Sequence, residues 1–224
     1  MRSIWRTLGR DALRDVALVC LAVGVTGLSY GAIAVASGLP WWLPVLMGVL
    51  VLAASSEFLF IGIIAAGGSP LAAVLAGLLV NARHLPFGLA VPEVTGEGWR
   101  RLVGTHLLND ETVVFALAQS EPVRRRAVYW ACGLGILVCW PAGALLGALL
   151  GSAVHDTSAL GLDAMFPAVL LALILPALRD RTHRRPALTG AALAAATTPV
   201  LPAGLPVLLA LAGLIRSSTS RETP

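Results

Sequence analysis

The residues best suited to chemistry lie in one short segment, residues 81–88, which reads Asn-Ala-Arg-His-Leu-Pro-Phe-Gly. It lies within a long apolar stretch, residues 70–91. A charged side chain at the bilayer centre costs roughly 2.5–3.5 kcal/mol on insertion scales, so such side chains usually face protein or a water-filled cavity. Arg83 offers a planar, permanently charged fork to a carboxylate, and His84 has an unperturbed pKa near ~6.5. The segment is therefore predicted to line a substrate or ion pathway.

A helix break is expected in the same segment. Pro86 has no backbone N–H, so it is expected to leave the carbonyl of Ala82 without its helical donor, and Gly88 follows two residues later. On a continuous helix Asn81, His84 and Gly88 would share one face while Arg83 points elsewhere. Arg83 then pairs with Glu57, pairs with an acid of the fourth segment, or faces a substrate. The sequence leaves these alternatives open, including an ion pair that only locks helices together.

Two further polar islands interrupt apolar stretches. Ser55, Ser56 and Glu57 lie in the second predicted span, which runs from about residue 43 to 66. Asp110 and Glu111 lie in the middle of the fourth, residues 102–118, which is predicted to be a short or broken helix lining a cavity. The alternative for the fourth is a surface amphipathic helix. A carboxylate in a membrane needs protonation, a partner or water. Each serine hydroxyl either binds a ligand or donates a hydrogen bond to a backbone carbonyl of its own helix.

The three islands together suit a zwitterion, because an amino acid needs a cation for its carboxylate and acceptors for its ammonium. The predicted substrate-binding residues are Ser55, Ser56, Glu57, Asn81, Arg83, Asp110 and Glu111. The candidate proton carriers are His84 and Glu57, the alternative for His84 being a structural hydrogen bond between helices.

Composition predicts an all-α polytopic transmembrane bundle. Of 224 residues 57% are hydrophobic and 12% are charged, with a mean hydropathy of +0.83. A soluble domain carries about 25% charged residues. The apolar runs are continuous instead of alternating, which disfavours a membrane β-barrel. Seven or eight membrane segments are expected, some of them short or broken.

The basic residues predict the topology. All of them are arginine, and most lie at the ends of apolar runs, so the net charge of +4 is typical of cytoplasmic loops and not of a nucleic-acid-binding protein. The predicted organisation is a cytoplasmic amphipathic lead (1–15), one transmembrane transporter domain (16–215) and a polar tail (216–224). The protein is expected in the cell membrane with a cytoplasmic N-terminus. Residues 187–215 cross the membrane twice or form a re-entrant pair.

Several classes of function are disfavoured by the motifs that the sequence lacks. There is no nucleotide-binding glycine loop, no zinc-ligand spacing and no serine-hydrolase elbow. No cofactor and no metal are therefore expected. A secondary transporter, a channel or a membrane-embedded enzyme using Arg83, His84, Asp110 and Glu111 remain possible, and the transporter is preferred.

These motifs resemble the AzlC family, the large subunits of branched-chain amino acid exporters. Residues 81–88 are similar to its Asn-x-Arg-His-x-x-Tyr-Gly segment, residues 108–111 to its Leu-Thr-Asp-Glu, and residues 54–58 to its Gly-Ser-Ala-Gln-Phe. Residues 161–163 and 202–205 add weaker matches. The departures are Glu57 for Gln, Phe87 for Tyr and Asn109 for Thr.

The resemblance implies export of isoleucine, leucine, valine or methionine rather than catalysis. It also implies a separately encoded small membrane subunit of the AzlD type. Coupling to protons is expected, and Glu57 in place of the family's glutamine bears on substrate choice or coupling.

Overall fold

The computed structural model describes residues 8–153, 171, 175, 178–179, 181–201 and 205–210. Over these residues the protein is helical and contains no strand, which confirms the all-α membrane fold. Within the described part of the chain, three stretches are long and apolar enough to cross a membrane: Arg10–Ala36, Pro70–Ala90 and Pro122–Ala153. The helices are α1 (Arg10–Ala36), α2 (Trp42–Leu50), α3 (Ala54–Ala65), α4 (Pro70–Asn81), α5 (His84–Ala90), α6 (Trp99–His106), α7 (Asp110–Leu117), α8 (Pro122–Ala153), α9 (Arg181–Thr197) and α10 (Leu205–Leu209).

Helices α1 and α8 pack with their backbones in contact. A Cβ atom at Gly27 would lie 2.7 Å from the carbonyl oxygen of Trp140, and one at Gly143 would overlap the carbonyl oxygen of Gly24. Lipid tails are as apolar as leucine, so helices in membranes associate through such close packing of small residues. Gly24, Gly27 and Gly31 thus allow α1 to approach α8 closely.

Three of the predicted spans are interrupted. The second divides into α2 and α3 around residues 51–53, the third into α4 and α5 around residues 82–83, and the fourth into α6 and α7 around residues 107–109. A break was expected in the third and fourth spans, and the structure has it in both. The second span was expected to be continuous from residue 43 to 66, which is wrong.

The break in the third span lies before the proline. Pro86 lies in the first turn of α5, where its missing N–H has little consequence, and Gly88 lies inside the same helix. The carbonyl of Ala82 accepts a hydrogen bond from the Leu85 amide at 3.1 Å. The expectation that Pro86 frees this carbonyl is therefore wrong, because the chain has already turned at Ala82 and Arg83.

The chain forms two compact units, 1–57 with 79–155 and 58–78 with 156–224. The first contains α1, α2 and α5 to α8, with the packing of α2 and α7 on α8. In the second, Ile63 of α3 packs in a core with Ala73 and Ala76 of α4, and α9 contacts α10. The single membrane domain over residues 16–215 stays a prediction.

Several predicted features lie outside the described residues, wholly or in part. These are residues 1–7 of the N-terminal lead, most of the late span at 162–178, the family-like segments at 161–163 and 202–204, and the tail at 216–224. Whether residues 187–215 cross the membrane twice stays a prediction.

Candidate functional site

The third and fourth spans meet through an ion pair. The Nη2 atom of Arg83 lies 2.8 Å from Oδ2 of Asp110, and the two side chains are 30% and 49% exposed. Arg83 stands in the turn between α4 and α5, and Asp110 is the first residue of α7. The sequence left Glu57, an acid of the fourth segment and a substrate open as partners of Arg83. In the structure its partner is Asp110, an acid of the fourth segment.

Three side chains at this turn each keep a buried polar atom without a hydrogen-bond partner among the described residues. These atoms are Oδ1 of Asn81, Nε of Arg83 and Nε2 of His84. Buried polar groups are normally paired, and leaving one unpaired costs about 1–3 kcal/mol. Atoms of this kind are what a bound polar ligand would satisfy.

His84 has a defined tautomer when neutral. Its Nδ1 lies 2.9 Å from the carbonyl oxygen of Asn81, which can only accept, so Nδ1 carries the hydrogen. Nε2 of a neutral ring is then an acceptor. In a continuous helix the Asn81 carbonyl would accept from the Leu85 amide, which instead binds Ala82. The imidazole thus replaces a backbone donor lost at the turn, and its role in proton coupling stays a prediction.

The acids of the fourth span lie in the first turn of α7, which Asn109 caps. The side-chain oxygen of Asn109 accepts from the Thr112 amide at 2.9 Å, and the Thr112 hydroxyl accepts from the Asn109 amide at 3.0 Å. This capping box satisfies amides that the start of a helix leaves free. Asp110 and Glu111 then lie where the helix dipole favours negative charge. Both side chains are half-buried.

Glu57 lies in a separate polar cluster. Its side chain is fully buried, and Oε1 accepts from the Ala53 amide at 2.9 Å. The indole Nε1 of Trp140 lies 3.2 and 3.1 Å from its two oxygens. The Trp140 ring stacks on Tyr30 with centroids 5.0 Å apart. Both oxygens of the Glu57 carboxyl group therefore accept hydrogen bonds from protein donors.

The two serines beside Glu57 differ. The Ser56 hydroxyl donates to the Ala53 carbonyl at 2.8 Å, the back-bonding alternative that the sequence left open. The Ser55 hydroxyl is buried without a partner among the described residues. Ser55 therefore keeps its ligand-binding capacity, and Ser56 uses its hydroxyl locally.

The predicted site residues thus form two groups. Asn81, Arg83 and His84 join Asp110 and Glu111, whereas Ser55, Ser56 and Glu57 join Trp140. Their roles in binding stay predictions.

Sequence reasoning missed Trp140 and left out His106, whose Nε2 donates to the carbonyl oxygen of Val49 at 2.7 Å. A tryptophan in mid-span, away from the interface where the residue is usual, is the signal that would have indicated Trp140.

A second ion pair provides a comparison for the first. Arg125 Nη1 lies 2.9 Å from Glu93 Oε1, with side chains 26% and 44% exposed. The Arg125 hydrogen bond lowers the pKa of Glu93. Arg125 Nε and Nη2 also donate to the Gln119 carbonyl at 3.1 and 3.0 Å. Arg125 is thus partnered on all three nitrogens, while Nε of Arg83 is not.

No group of three or more His, Cys, Asp or Glu side chains suited to a metal ion occurs in the described part of the chain. Cys20, Cys132 and Cys139 are free thiols.

Comparison with known proteins gives consistent results. A family model described as AzlC protein matches residues 18–154. The chain is 27% identical to an uncharacterized membrane protein of Helicobacter pylori, over 83% of this chain and 82% of that protein. It is 25% identical to the branched-chain amino acid transport protein AzlC of Bacillus subtilis, over 84% and 76%. A membrane protein of Haemophilus influenzae is 28% identical over 56% and 53%. No solved structure matches this chain.

Proposed function

This chain belongs to the AzlC protein family, and we propose on that premise that it is a secondary transporter of branched-chain and similar apolar amino acids. The name of the Bacillus subtilis relative supports this substrate class. Isoleucine, leucine, valine and methionine are the proposed substrates, and export is the proposed direction.

One observation carries the proposal: Arg83 is ion-paired yet incompletely partnered, beside two unpartnered acceptors. Its Nε is a buried donor without a partner, and Oδ1 of Asn81 and Nε2 of neutral His84 are buried acceptors without one, among the described residues. A substrate carboxylate needs N–H donors, and its ammonium has three N–H groups to donate. The turn between α4 and α5 offers both kinds of partner within four residues.

Asp110 adds the charge balance that a zwitterion needs. Its carboxylate pairs with Arg83 in the present structure. When a substrate carboxylate binds the guanidinium of Arg83, Asp110 becomes available to the substrate ammonium, and the net charge of the site is unchanged. Glu111, next in sequence on α7, is the second acid for this exchange.

Further parts of the proposal concern coupling and assembly. His84 is the proposed proton carrier, since its Nε2 has no partner among the described residues and imidazole is a side chain suited to carrying protons. Glu57 is the second proposed proton carrier. A small AzlD-type membrane subunit is the proposed partner. The proposed location is the cell membrane with a cytoplasmic N-terminus, because Arg10 and Arg14 lie at the amino-terminal end of α1.

The test is efflux of preloaded isoleucine or methionine from cells expressing this chain with its small partner subunit. Arg83→Ala is expected to abolish efflux at unchanged membrane expression. Arg125→Ala is the matched control, because it breaks an ion pair of similar length and exposure away from the site. Arg83→Lys keeps the charge but loses the planar fork, so a strong loss is expected there too.

Efflux that survives Arg83→Ala refutes this site. Recovery of a chemically altered product would indicate an enzyme. Flux that does not saturate and ignores an opposing proton gradient would indicate a channel.

A further inference from the structure

The interruption between α2 and α3 removes several backbone hydrogen bonds of a continuous helix, among them the one between Ala53 and Val49. In a continuous helix the amide of Ala53 would donate to the carbonyl of Val49, four residues earlier. Here α2 ends at Leu50, and the amides of Val51 and Leu52 both point to the Met47 carbonyl, at 2.7 and 3.5 Å. The hydrogen bond between the Ala53 amide and the Val49 carbonyl is consequently absent.

Side chains take both of these backbone groups. The amide of Ala53 donates to Oε1 of Glu57 at 2.9 Å, and the carbonyl of Val49 accepts from Nε2 of His106 at 2.7 Å. Glu57 lies in α3 and His106 is the last residue of α6. An unpaired backbone group away from water is costly, so a broken membrane helix needs such substitutes.

The backbone at the interruption is strained. Leu52 has φ of 51°, in the left-handed region, and its side chain is buried. An L-residue other than glycine is disfavoured there, because its Cβ approaches the next carbonyl oxygen. The strain persists only because neighbouring contacts outweigh it. Closing the Val49–Ala53 hydrogen bond would relieve it.

We propose that Glu57 and His106 together hold this interruption open, and that His106 is a positioning residue for transport. Without the imidazole, the carbonyl of Val49 regains the Ala53 amide as its natural donor and α2 joins α3 as one helix. Glu57 is fixed for its part by Trp140 of α8. The link of His106 to transport rests on the proposed function, whereas the state of the helix does not.

The first measurement needs no substrate. Carbon-13 chemical shifts of leucine-labelled protein in bilayers report the backbone at Leu52, whose resonance is assigned by its absence from Leu52→Gly. We expect non-helical shifts in the wild type and helical shifts in His106→Leu. His106→Gln keeps a side-chain N–H donor and is expected to remain non-helical. Unchanged Leu52 shifts in His106→Leu overturn the proposal.

The second measurement is transport in the same variants at equal membrane expression. His106→Leu is expected to lower the maximal rate at least ~10-fold, and His106→Gln to stay within about threefold of the wild type. Leu52→Gly removes the penalty for a left-handed backbone, so adding it to His106→Leu is expected to restore most of the rate. Thr105→Val, which removes a hydroxyl bond to Arg101 within α6, is the control without effect.

The two measurements separate the two proposals. If Leu52 shows helical shifts in His106→Leu but the wild type does not transport, the proposed function is refuted and the role of His106 in the helix interruption stands. Equal losses in His106→Gln and His106→Leu, or no recovery with Leu52→Gly, overturn the role of His106 in transport.

Discussion

The Arg83–Asp110 ion pair decides between a substrate site and a helix lock, and Asp110→Asn tests which it is. The two side chains are 30% and 49% exposed. An ion pair open to water contributes about 0.2–1 kcal/mol. Breaking a pair buried in dry protein by removing one partner costs about 3–5 kcal/mol, because the remaining charge is uncompensated. On the proposal that these exposed faces line a water-filled pathway, the pair belongs with the first kind.

The expected thermal shift follows from these magnitudes. A protein of 150–250 residues loses roughly 2–4 °C per kcal/mol, so Asp110→Asn is expected to lower the midpoint by no more than about 4 °C. If the pair were buried in dry protein and only locked the helices together, the midpoint would fall by roughly 6–20 °C on the same scale. Glu93→Gln breaks the comparison pair and is expected to give a similarly small shift. The assay is thermal unfolding of the purified protein, followed by its fluorescence.

The transport rate is expected to distinguish the Arg83–Asp110 pair from the Arg125–Glu93 pair, although their effects on stability are similar. Asp110→Asn should reduce efflux at least ~10-fold, whereas Glu93→Gln should leave it near the wild-type rate. The double variant with Arg83→Asp and Asp110→Arg exchanges the two charges. It restores an ion pair that locks the helices, but it places the opposite charges where a substrate would bind. Full efflux in the exchanged variant, or a large thermal loss in Asp110→Asn, would refute the reasoning.

Three further predictions concern the scaffold. Gly143→Leu is expected to separate α1 from α8 and abolish recovery of monodisperse protein by size exclusion, while Leu146→Ala, at an exposed position of the same helix, is tolerated. Asn109→Ala is expected to cost about 0.5–2 kcal/mol by loss of a helix cap and Asn109→Thr much less, measured by thermal unfolding. The lowered pKa of Glu93 gives stability that is present above its unfolded pKa and lost as pH falls through its lower folded value. In Arg125→Gln the midpoint of thermal unfolding should therefore depend less steeply on pH in the acid range.

Much of the fold could be predicted from the sequence, because lipid imposes a simple requirement on helices. Continuous apolar runs gave α1 and α8 nearly to their ends, and the acids at 110 and 111 indicated the break before α7. The break before α3 was not predictable in this way. Residues 43–66 read as one apolar run, and the interruption depends on His106, which is 57 residues away from Val49.

The candidate site was predictable in its residue types but not in its pairings. An arginine in an apolar stretch needs a partner, and the sequence offered Glu57 and the acids of the fourth segment equally. Only the packing of the chain assigns Asp110 to Arg83 and Trp140 to Glu57. The position of the turn was missed for a local reason: Pro86 is tolerated in the first turn of a helix as readily as it breaks one.

The direct backbone contact between α1 and α8 restricts where motion can occur during transport. Two helices whose carbonyl oxygens touch the α-carbons of the other cannot rotate about their axes or slide past each other without collision, as flexible side chains would have permitted. We therefore expect α1 and α8 to keep their mutual arrangement during transport. We expect the opening and closing of a pathway to involve the short helices beside this pair, α2 and α5 to α7. Side-chain hydrogen bonds of His84, His106 and Thr112 lie at the ends of these helices, and such bonds can be exchanged one at a time.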